Sequence, residues 1–193
     1  MEDTPTREAV VPRLQGRFGR EFTYVESCPS TQRLLAPDAP QGAVAVADEQ
    51  TEGRGRLGRR WEAPAGTSVL CSLQLRPPVD AARFPELTVV GAEACAEAIR
   101  TVTGLEPALK HPNDVLIGGR KVAGILGESA EGRVVLGIGI NANIPAGELP
   151  AEVRIPATSL LIETGEPIDR VELVVELLAA LERHYDAWLA TPK

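Results

Sequence analysis

Residues 53–61 combine four arginines, three glycines and a tryptophan without an acidic residue, in a chain whose formal net charge is -7. Planar guanidinium groups bind phosphate or carboxylate oxygens through paired hydrogen bonds. Glycine lets the backbone approach a ligand closely, and the indole of Trp61 offers a flat surface for stacking. This combination indicates a loop that binds an anion, and the aromatic ring favours a nucleotide.

A solvated surface loop is the alternative interpretation of the same residues, because basic loops are common on proteins. The neighbouring sequence favours a site instead. Small and β-branched residues over 42–48 and 68–75 predict buried strands, so the loop lies between two strands of the core. Two other phosphate-binding patterns do not occur: no P-loop is found, and Gly137-Ile138-Gly139-Ile140 lacks the third glycine of the Rossmann fingerprint.

Three further segments carry polar residues near the ends of predicted strands. They are Lys110-His111-Pro112-Asn113-Asp114, residues 121–126, and residues 137–143. Each alone is explained by turn or strand chemistry, because Pro-Asn-Asp favours a turn and glycine in a strand marks close backbone packing. Together with the arginine loop they form a much more specific pattern.

The elements that must position these segments follow from hydrophobic periodicity and turn signals. Predicted strands cover residues 22–25, 42–48, 68–75, 108–110, 115–117, 122–126 and 134–140, with turns at 118–119 and 131–132. Predicted helices are a short one capped by Ser30-Thr31, a long one over 85–103 ended by Gly104, and a last one capped by Asp169. The pattern predicts an α+β fold, with a mixed, largely antiparallel sheet packed by helices. We expect residues 1–20 to be an irregular N-terminal segment and residues 21–193 to form one domain.

Composition narrows the function classes. The 193 residues carry an excess of acidic over basic side chains, which argues against a DNA-binding role, since phosphate neutralisation needs a broad basic face. We expect no membrane association, because no apolar run reaches the roughly 20 residues of a membrane span. The start lacks a signal peptide pattern, so a cytoplasmic location is expected. Three cysteines without a CxxC pair predict structural thiols rather than a disulfide framework or a protein-bound metal site.

In this order and spacing, GRGRLGRRW, KHPNDV, GRKVAGIL and GIGINAN resemble the biotin protein ligases over residues 22–189. Ser30-Thr31 and the segment 155–160 extend the resemblance. It implies the class II synthetase-like fold of the biotin and lipoate ligase catalytic domain. The resemblance covers the catalytic domain only, so neither a DNA-binding N-terminal domain nor a small C-terminal β domain is expected. Two positions depart from the family motifs: His111 replaces a tryptophan, and Gln32 replaces an asparagine.

The resemblance implies a biotin-[acetyl-CoA-carboxylase] ligase that uses ATP and Mg²⁺, the metal lying on the ATP phosphates. Biotin would be activated to biotinyl-5′-AMP and transferred to a lysine of a biotin carboxyl carrier domain. Lys110 is the first candidate for the catalytic residue, with Arg56 beside it. The implied biotin contacts are Ser30, Thr31, Gln50, Gly53, Arg54, Gly124, Ile125 and Leu126. The implied ATP and adenylate contacts are Arg54, Arg56, Arg59, Trp61, Lys110, Asn141 and Asn143.

Other functions stay open at this point. A lipoate or octanoate ligase would share the fold and the adenylate chemistry, although the arginine loop with Trp61 favours biotin. A biotin-binding paralogue with little turnover would bind biotin without releasing pyrophosphate. An RNA-binding protein would show steeply salt-dependent affinity, but one basic loop is a poor electrostatic footprint for that role. A homodimer through an edge of the sheet is also possible for the family.

Overall fold

The computed structural model describes residues 3–150 and 155–191 and shows one seven-stranded sheet with helices packed on it. The strands are β1 Phe22–Cys28, β2 Val44–Gln50, β3 Ser68–Leu75, β4 Ala108–Lys110, β5 Asp114–Ile117, β6 Arg120–Ala130 and β7 Arg133–Asn141. The α-helices are α1 Arg7–Val10, α2 Glu86–Thr103, α3 Leu160–Thr164 and α4 Arg170–Ala190. The predicted α+β class is confirmed.

The strand order in the sheet is β1-β2-β3-β7-β6-β5-β4. Only β1 and β2 run parallel, and every other neighbouring pair is antiparallel. The predicted turns at 118–119 and 131–132 are present, and Glu131 and Gly132 have φ values of 51° and 73°. The sheet is therefore mixed and largely antiparallel, as its hairpin signals predict.

One face of the sheet is buried under α2 and α4. Alternate residues of the strands point to these helices, among them Ile125 and Ile138, which belong to the main apolar core. The other face of β6 and β7 carries glycines at the intervening positions. Because side chains of a strand alternate between its two faces, this pattern leaves shallow space on the second face.

The two long helices begin and end as their caps predict. The Asp169 carboxylate accepts hydrogen bonds from the backbone N–H groups of Val171 and Glu172 at 2.8 and 3.1 Å, which starts α4. Gly104 adopts a left-handed conformation at the end of α2. The short helix predicted after Ser30 is a 3-10 helix, Thr31–Leu34, and it lacks a side-chain cap bond.

The N-terminal segment differs from its prediction as an irregular stretch. Residues 7–10 form α1, which continues as a 3-10 helix over 11–13. Val10, Leu14 and Phe18 follow one another at intervals of four residues and are almost fully buried in the main core. Burial of these side chains outweighs the weak helix propensity of a stretch that contains proline and glycine. Residues 3–20 therefore pack as part of the domain core.

The three cysteines are free and buried. Burial raises the pKa of Cys71 and of Cys95 to about 12, so both thiols stay protonated near neutral pH. This agrees with the structural role predicted for them.

Of the helices in the described ranges, none combines the length and the apolar character that crossing a membrane requires.

A buried arginine joins the start of α4 to the sheet. Arg170 is 2% exposed and forms ion pairs with Asp48 at 2.6 Å and with Asp3 at 3.0 Å. Tyr24 donates a hydrogen bond to Asp48 at 2.7 Å. Burial and this hydrogen bond raise the pKa of Tyr24 to about 12. The network holds the N-terminal segment, β1, β2 and α4 together.

Replacing Arg170 by methionine should destabilise the protein, because two carboxylates would lose their cation in a poorly solvated place. We expect a loss of about 3 kcal/mol in the free energy of unfolding, measured by chemical denaturation. The matched control is Arg100→Met, which removes an exposed pair with Glu106 and should cost less than about 1 kcal/mol. Equal losses in the two variants would contradict the structural role of Arg170.

Candidate active site

A cavity of about 460 Å³ lies on the face of the sheet that α2 and α4 leave uncovered. Its walls come from the 3-10 helix after β1, the arginine-rich segment 53–61, strands β6 and β7, and residues 155–157. Pockets of this volume hold ligands of the size of a vitamin or a nucleotide. The four segments singled out in the sequence therefore meet at one place.

Glycines form the floor of the cavity. A Cβ atom at Gly139 would lie 2.5–2.9 Å from atoms of the Trp61 indole, and a Cβ at Gly124 would lie 3.0 Å from the same ring. Non-bonded carbon atoms do not approach so closely, so only glycine allows the indole to lie against β6 and β7. The Trp61 indole nitrogen is buried without a hydrogen-bond partner among the described residues.

Segment 53–61 forms a short β-hairpin between β2 and β3. Trp61 N–H donates to the Gly53 carbonyl at 3.0 Å, and Gly55 N–H donates to the Arg59 carbonyl at 2.7 Å. Leu57 at the tip has a φ of 60° and is 87% exposed. We call residues 53–61 the arginine hairpin. Its backbone bonds give a regular shape to a segment that composition alone indicates only as a loop.

Two arginines tie the arginine hairpin to the opposite wall. The guanidinium of Arg54 lies 2.7 Å from the Glu128 carboxylate on β6. Arg56 donates to the Asn113 side-chain oxygen at 3.1 Å, in the turn between β4 and β5. All these contacts are solvent-exposed, where an ion pair contributes no more than about 1 kcal/mol. The hairpin is thus held over the cavity by weak, exchangeable contacts.

One end of the cavity is polar but uncharged. The backbone N–H and the hydroxyl of Thr31 both donate to the Gln50 side-chain oxygen, at 2.7 and 3.0 Å. The Ser72 hydroxyl lies 2.7 Å from the Thr31 hydroxyl. Gln32 donates from its amide nitrogen to the Leu126 carbonyl at 3.1 Å. This end can recognise a neutral group that carries both donors and acceptors.

The other end of the cavity carries charged side chains. The Lys121 ammonium lies 2.6 Å from an Asp114 carboxylate oxygen and 5.5 Å from the centre of the Trp61 ring. Lys121 also pairs through its backbone with the segment after β7, since its N–H donates to the Pro156 carbonyl at 2.7 Å. Asn141 also lines this end. It follows Gly137 by four residues on β7, which corresponds to about 14 Å along the strand.

The structure brings most of the sequence-predicted site residues to the cavity. Those that line it are Thr31, Gln50, Arg54, Arg56, Arg59, Trp61, Gly124, Ile125, Leu126 and Asn141. Four others do not line it, namely Ser30, Gly53, Lys110 and Asn143. Ser30 is buried, and Gly53 forms the base of the hairpin with Trp61.

Lys110 and Asn143 lie away from the cavity for different reasons. Lys110 ends β4, the outermost strand, where its side chain is exposed. Asn143 uses both ends of its amide on the chain before α4: its nitrogen donates to the Ile168 carbonyl at 2.9 Å, and its oxygen accepts from the Ile168 N–H at 2.8 Å. The structure therefore gives Asn143 a supporting contact before α4 rather than a place in the cavity.

Sequence reasoning did not assign site roles to several residues that line the cavity. They are Gln32, Asn113, Asp114, Lys121, Gly137 and Gly139. Each of them lies in one of the motifs named above or next to Thr31. Membership of a motif was therefore the signal that could have identified them as site residues. The sequence analysis named Lys110 as the candidate lysine, whereas of these two lysines it is Lys121 that lines the cavity.

A metal centre built from protein side chains is not found in residues 3–150 and 155–191, where no group of three or more histidine, cysteine, aspartate or glutamate residues could hold an ion. Two acidic residues line the cavity, Glu62 and Asp114, and Asp114 is paired with Lys121.

Comparison with known proteins places this geometry in a family. The Biotin/lipoate A/B protein ligase family matches residues 24–144, more than half of the chain. The biotin--[acetyl-CoA-carboxylase] ligase of Paracoccus denitrificans is 39% identical over 165 residues, which cover 81% of this chain and 68% of that protein. The bifunctional ligase/repressor BirA of Bacillus subtilis is 39% identical over 177 residues, or 87% of this chain.

The fold agrees with solved structures. The biotin protein ligase from Aquifex aeolicus in complex with biotin and ATP superposes with a TM-score of 0.79, at 32% identity, covering 88% of this chain and 72% of that one. The chain spans about half the length of the Bacillus relatives, 54% in each case. Sequence motifs, cavity and fold agree, and the chain belongs to the biotin protein ligases of the biotin/lipoate A/B protein ligase family.

Proposed function

We propose that this protein activates biotin with MgATP to biotinyl-5′-AMP and then transfers the biotinyl group to a lysine of a biotin carboxyl carrier domain. The observation that carries the proposal is a cavity that combines a neutral polar end, a glycine floor and a charged end, with more basic than acidic side chains in its lining. Biotin has the same polarity, with an uncharged ureido ring at one end and a carboxylate at the other. The Aquifex relative binds both biotin and ATP.

In the first step, a biotin carboxylate oxygen attacks the α-phosphorus of ATP, and the bond to the β-phosphate oxygen breaks to release pyrophosphate. Two anions must approach each other, so a cation between them lowers the barrier. We assign this role to Lys121, whose ammonium lies inside the cavity beside Trp61. Asp114 would orient the ammonium through their 2.6 Å ion pair. Lys110 has an exposed side chain on the edge strand, which makes it the weaker candidate.

In the second step, the acceptor lysine attacks the acyl carbon, the bond to AMP breaks, and the attacking amine loses a proton. Before the acceptor arrives, the adenylate must be kept from water. We propose that the arginine hairpin covers it, with Arg54, Arg56 and Arg59 around the phosphate. The contacts of Arg54 with Glu128 and of Arg56 with Asn113 support this position.

The remaining parts of the proposal concern partners and location. Mg²⁺ would enter with ATP as part of the substrate and offset the charge of the departing pyrophosphate. Three free cysteines support a reducing, cytoplasmic location. A homodimer stays a prediction; β1 and β4 are the edge strands that could form it.

The function is tested by incubating the protein with biotin, MgATP and a biotin carboxyl carrier domain, and measuring pyrophosphate release and the mass of the acceptor. We expect stoichiometric pyrophosphate and a biotinylated acceptor. Lys121→Met should lower the rate of pyrophosphate release by about 100-fold or more, as loss of a transition-state cation does. Lys110→Met is the matched control and should retain most of the activity.

Two results would contradict these assignments. Biotin binding without pyrophosphate from the unmodified protein would favour a binding function over a ligase. A large loss in Lys110→Met with normal turnover in Lys121→Met would return the catalytic role to Lys110.

Arg56→Gly should let the adenylate escape, because the variant removes both the cation and the bond from the hairpin to Asn113. We expect pyrophosphate release to continue while bystander proteins become biotinylated on lysines, detected with labelled streptavidin after addition of serum albumin. Arg76→Gly, outside the cavity, is the control. If Arg56→Gly biotinylates only the carrier domain, the hairpin does not retain the adenylate.

Gly139→Ala should displace the Trp61 indole, since the added methyl group would lie 2.5–2.9 Å from the ring. We expect biotin affinity, measured by calorimetry, to fall about tenfold, or about 1.4 kcal/mol, because the displaced indole would take up space in the cavity. Gly147→Ala is the matched control, because a Cβ there meets no atom within 4 Å. Unchanged affinity in Gly139→Ala would show that the position of the indole over the glycines does not affect biotin binding.

A further inference from the structure

Gln32 carries an unsatisfied acceptor at the neutral end of the cavity. Its side chain lines the cavity, lying over Gly137, where a Cβ would meet its amide nitrogen at 3.1 Å. Its amide oxygen is buried and has no hydrogen-bond partner within the described part of the chain. Leaving a buried acceptor unpaired is costly, so the atom indicates a donor that arrives with a ligand.

The orientation of this amide is determined by its neighbour. The amide nitrogen of Gln32 lies 3.1 Å from the Leu126 carbonyl. A carbonyl oxygen can only accept, so a flipped amide would set two oxygens against each other. The oxygen of Gln32 is therefore the group left for the ligand.

The other acceptors at this end are already engaged. The Gln50 side-chain oxygen receives two hydrogen bonds from Thr31, which fill both of its lone pairs. Because the single hydroxyl proton of Thr31 goes to Gln50, the Ser72 hydroxyl must be the donor in their 2.7 Å contact. That bond occupies one lone pair of the Thr31 oxygen. Gln32 alone among these side chains offers an amide oxygen with both lone pairs free.

We propose that Gln32 is a specificity-determining residue, whose amide oxygen accepts a hydrogen bond from one ureido N–H of biotin. The inference rests on the proposed function and adds to it a residue that selects for the ureido ring. A lipoyl or octanoyl chain brings no N–H to this end and would leave the oxygen unpaired. Sites that hydrogen-bond a polar substrate group discriminate strongly against analogues that lack it.

The test is a double-mutant cycle between protein and ligand, with dissociation constants measured by calorimetry. The protein variants are Gln32→Met, which keeps the side-chain length, and Gln32→Leu as a second apolar replacement. The ligands are biotin, the two biotin derivatives methylated at one or the other ureido nitrogen, and octanoate. Gln15→Met, at an exposed glutamine that bonds to the Arg13 carbonyl, is the matched control.

We expect both Gln32 variants to bind biotin about 10-fold more weakly than the unmodified protein, the size of one buried hydrogen bond. Methylation of the nitrogen that faces Gln32 should weaken binding to the unmodified protein. The same methylation should not lower the affinity of the two variants any further. Methylation of the other nitrogen should lower the affinity of all the proteins by the same factor. Octanoate binding should be no weaker in the variants than in the unmodified protein.

Two results would overturn the proposal. The first is unchanged biotin affinity in both variants. The second is that methylation at each nitrogen lowers the affinity of the variants as much as that of the unmodified protein. Either result means that Gln32 does not contact the ureido group. These outcomes differ from failure of the proposed function, in which the unmodified protein itself would not bind biotin. Melting temperatures of all proteins check that the variants are folded.

Discussion

The pairing register between β6 and β7 is the constraint on which the rest of the site depends. In this register Gly124 lies opposite Gly139, and Ile125 lies opposite Ile138. The glycines lie against the Trp61 indole, and the isoleucines belong to the main apolar core. A slip by one residue would exchange the two sets, because side chains alternate along a strand. The same alternation therefore builds the core on one face and clears space on the other.

Electrostatic contacts in the cavity are arranged so that an anion can replace them. The cations of the arginine hairpin and Lys121 contact Glu128, Asn113 and Asp114. The Arg54 and Arg56 contacts are solvent-exposed and contribute little to folding, so exchanging these partners for a phosphate or carboxylate costs the protein little stability. The Lys121–Asp114 pair is more buried, with side chains that are 24% and 14% exposed. The deeply buried Arg170 network lies apart from the cavity and supports the fold instead. The charged side chains at the cavity and those around Arg170 thus form separate sets.

Much of the fold was predictable because its signals are local. The strand over 68–75 and the helix over 85–103 coincide with the observed elements to within a residue. Alternation, helical periodicity, turn glycines and the Asp169 cap act over a few residues, so they can be interpreted from the chain alone. The N-terminal segment was missed because its helix is short and gains its stability from Val10, Leu14 and Phe18 entering a core made by distant residues.

By itself, the sequence determined the α+β class, the hairpins and the four motifs that meet at the cavity, since these follow from local residue patterns. Only the tertiary structure decided which side chains of those motifs lie there. Lys110 and Lys121 stand in similar motifs, yet β4 lies two strands, about 10 Å, from β6 in the sheet. Asn143 bonds to the chain before α4, and the Gln32 amide nitrogen bonds to Leu126, both far away in sequence. The Gln32 oxygen is left without a partner among the described residues. Strand order and long-range hydrogen bonding are set by packing of the whole chain, and no short segment encodes them.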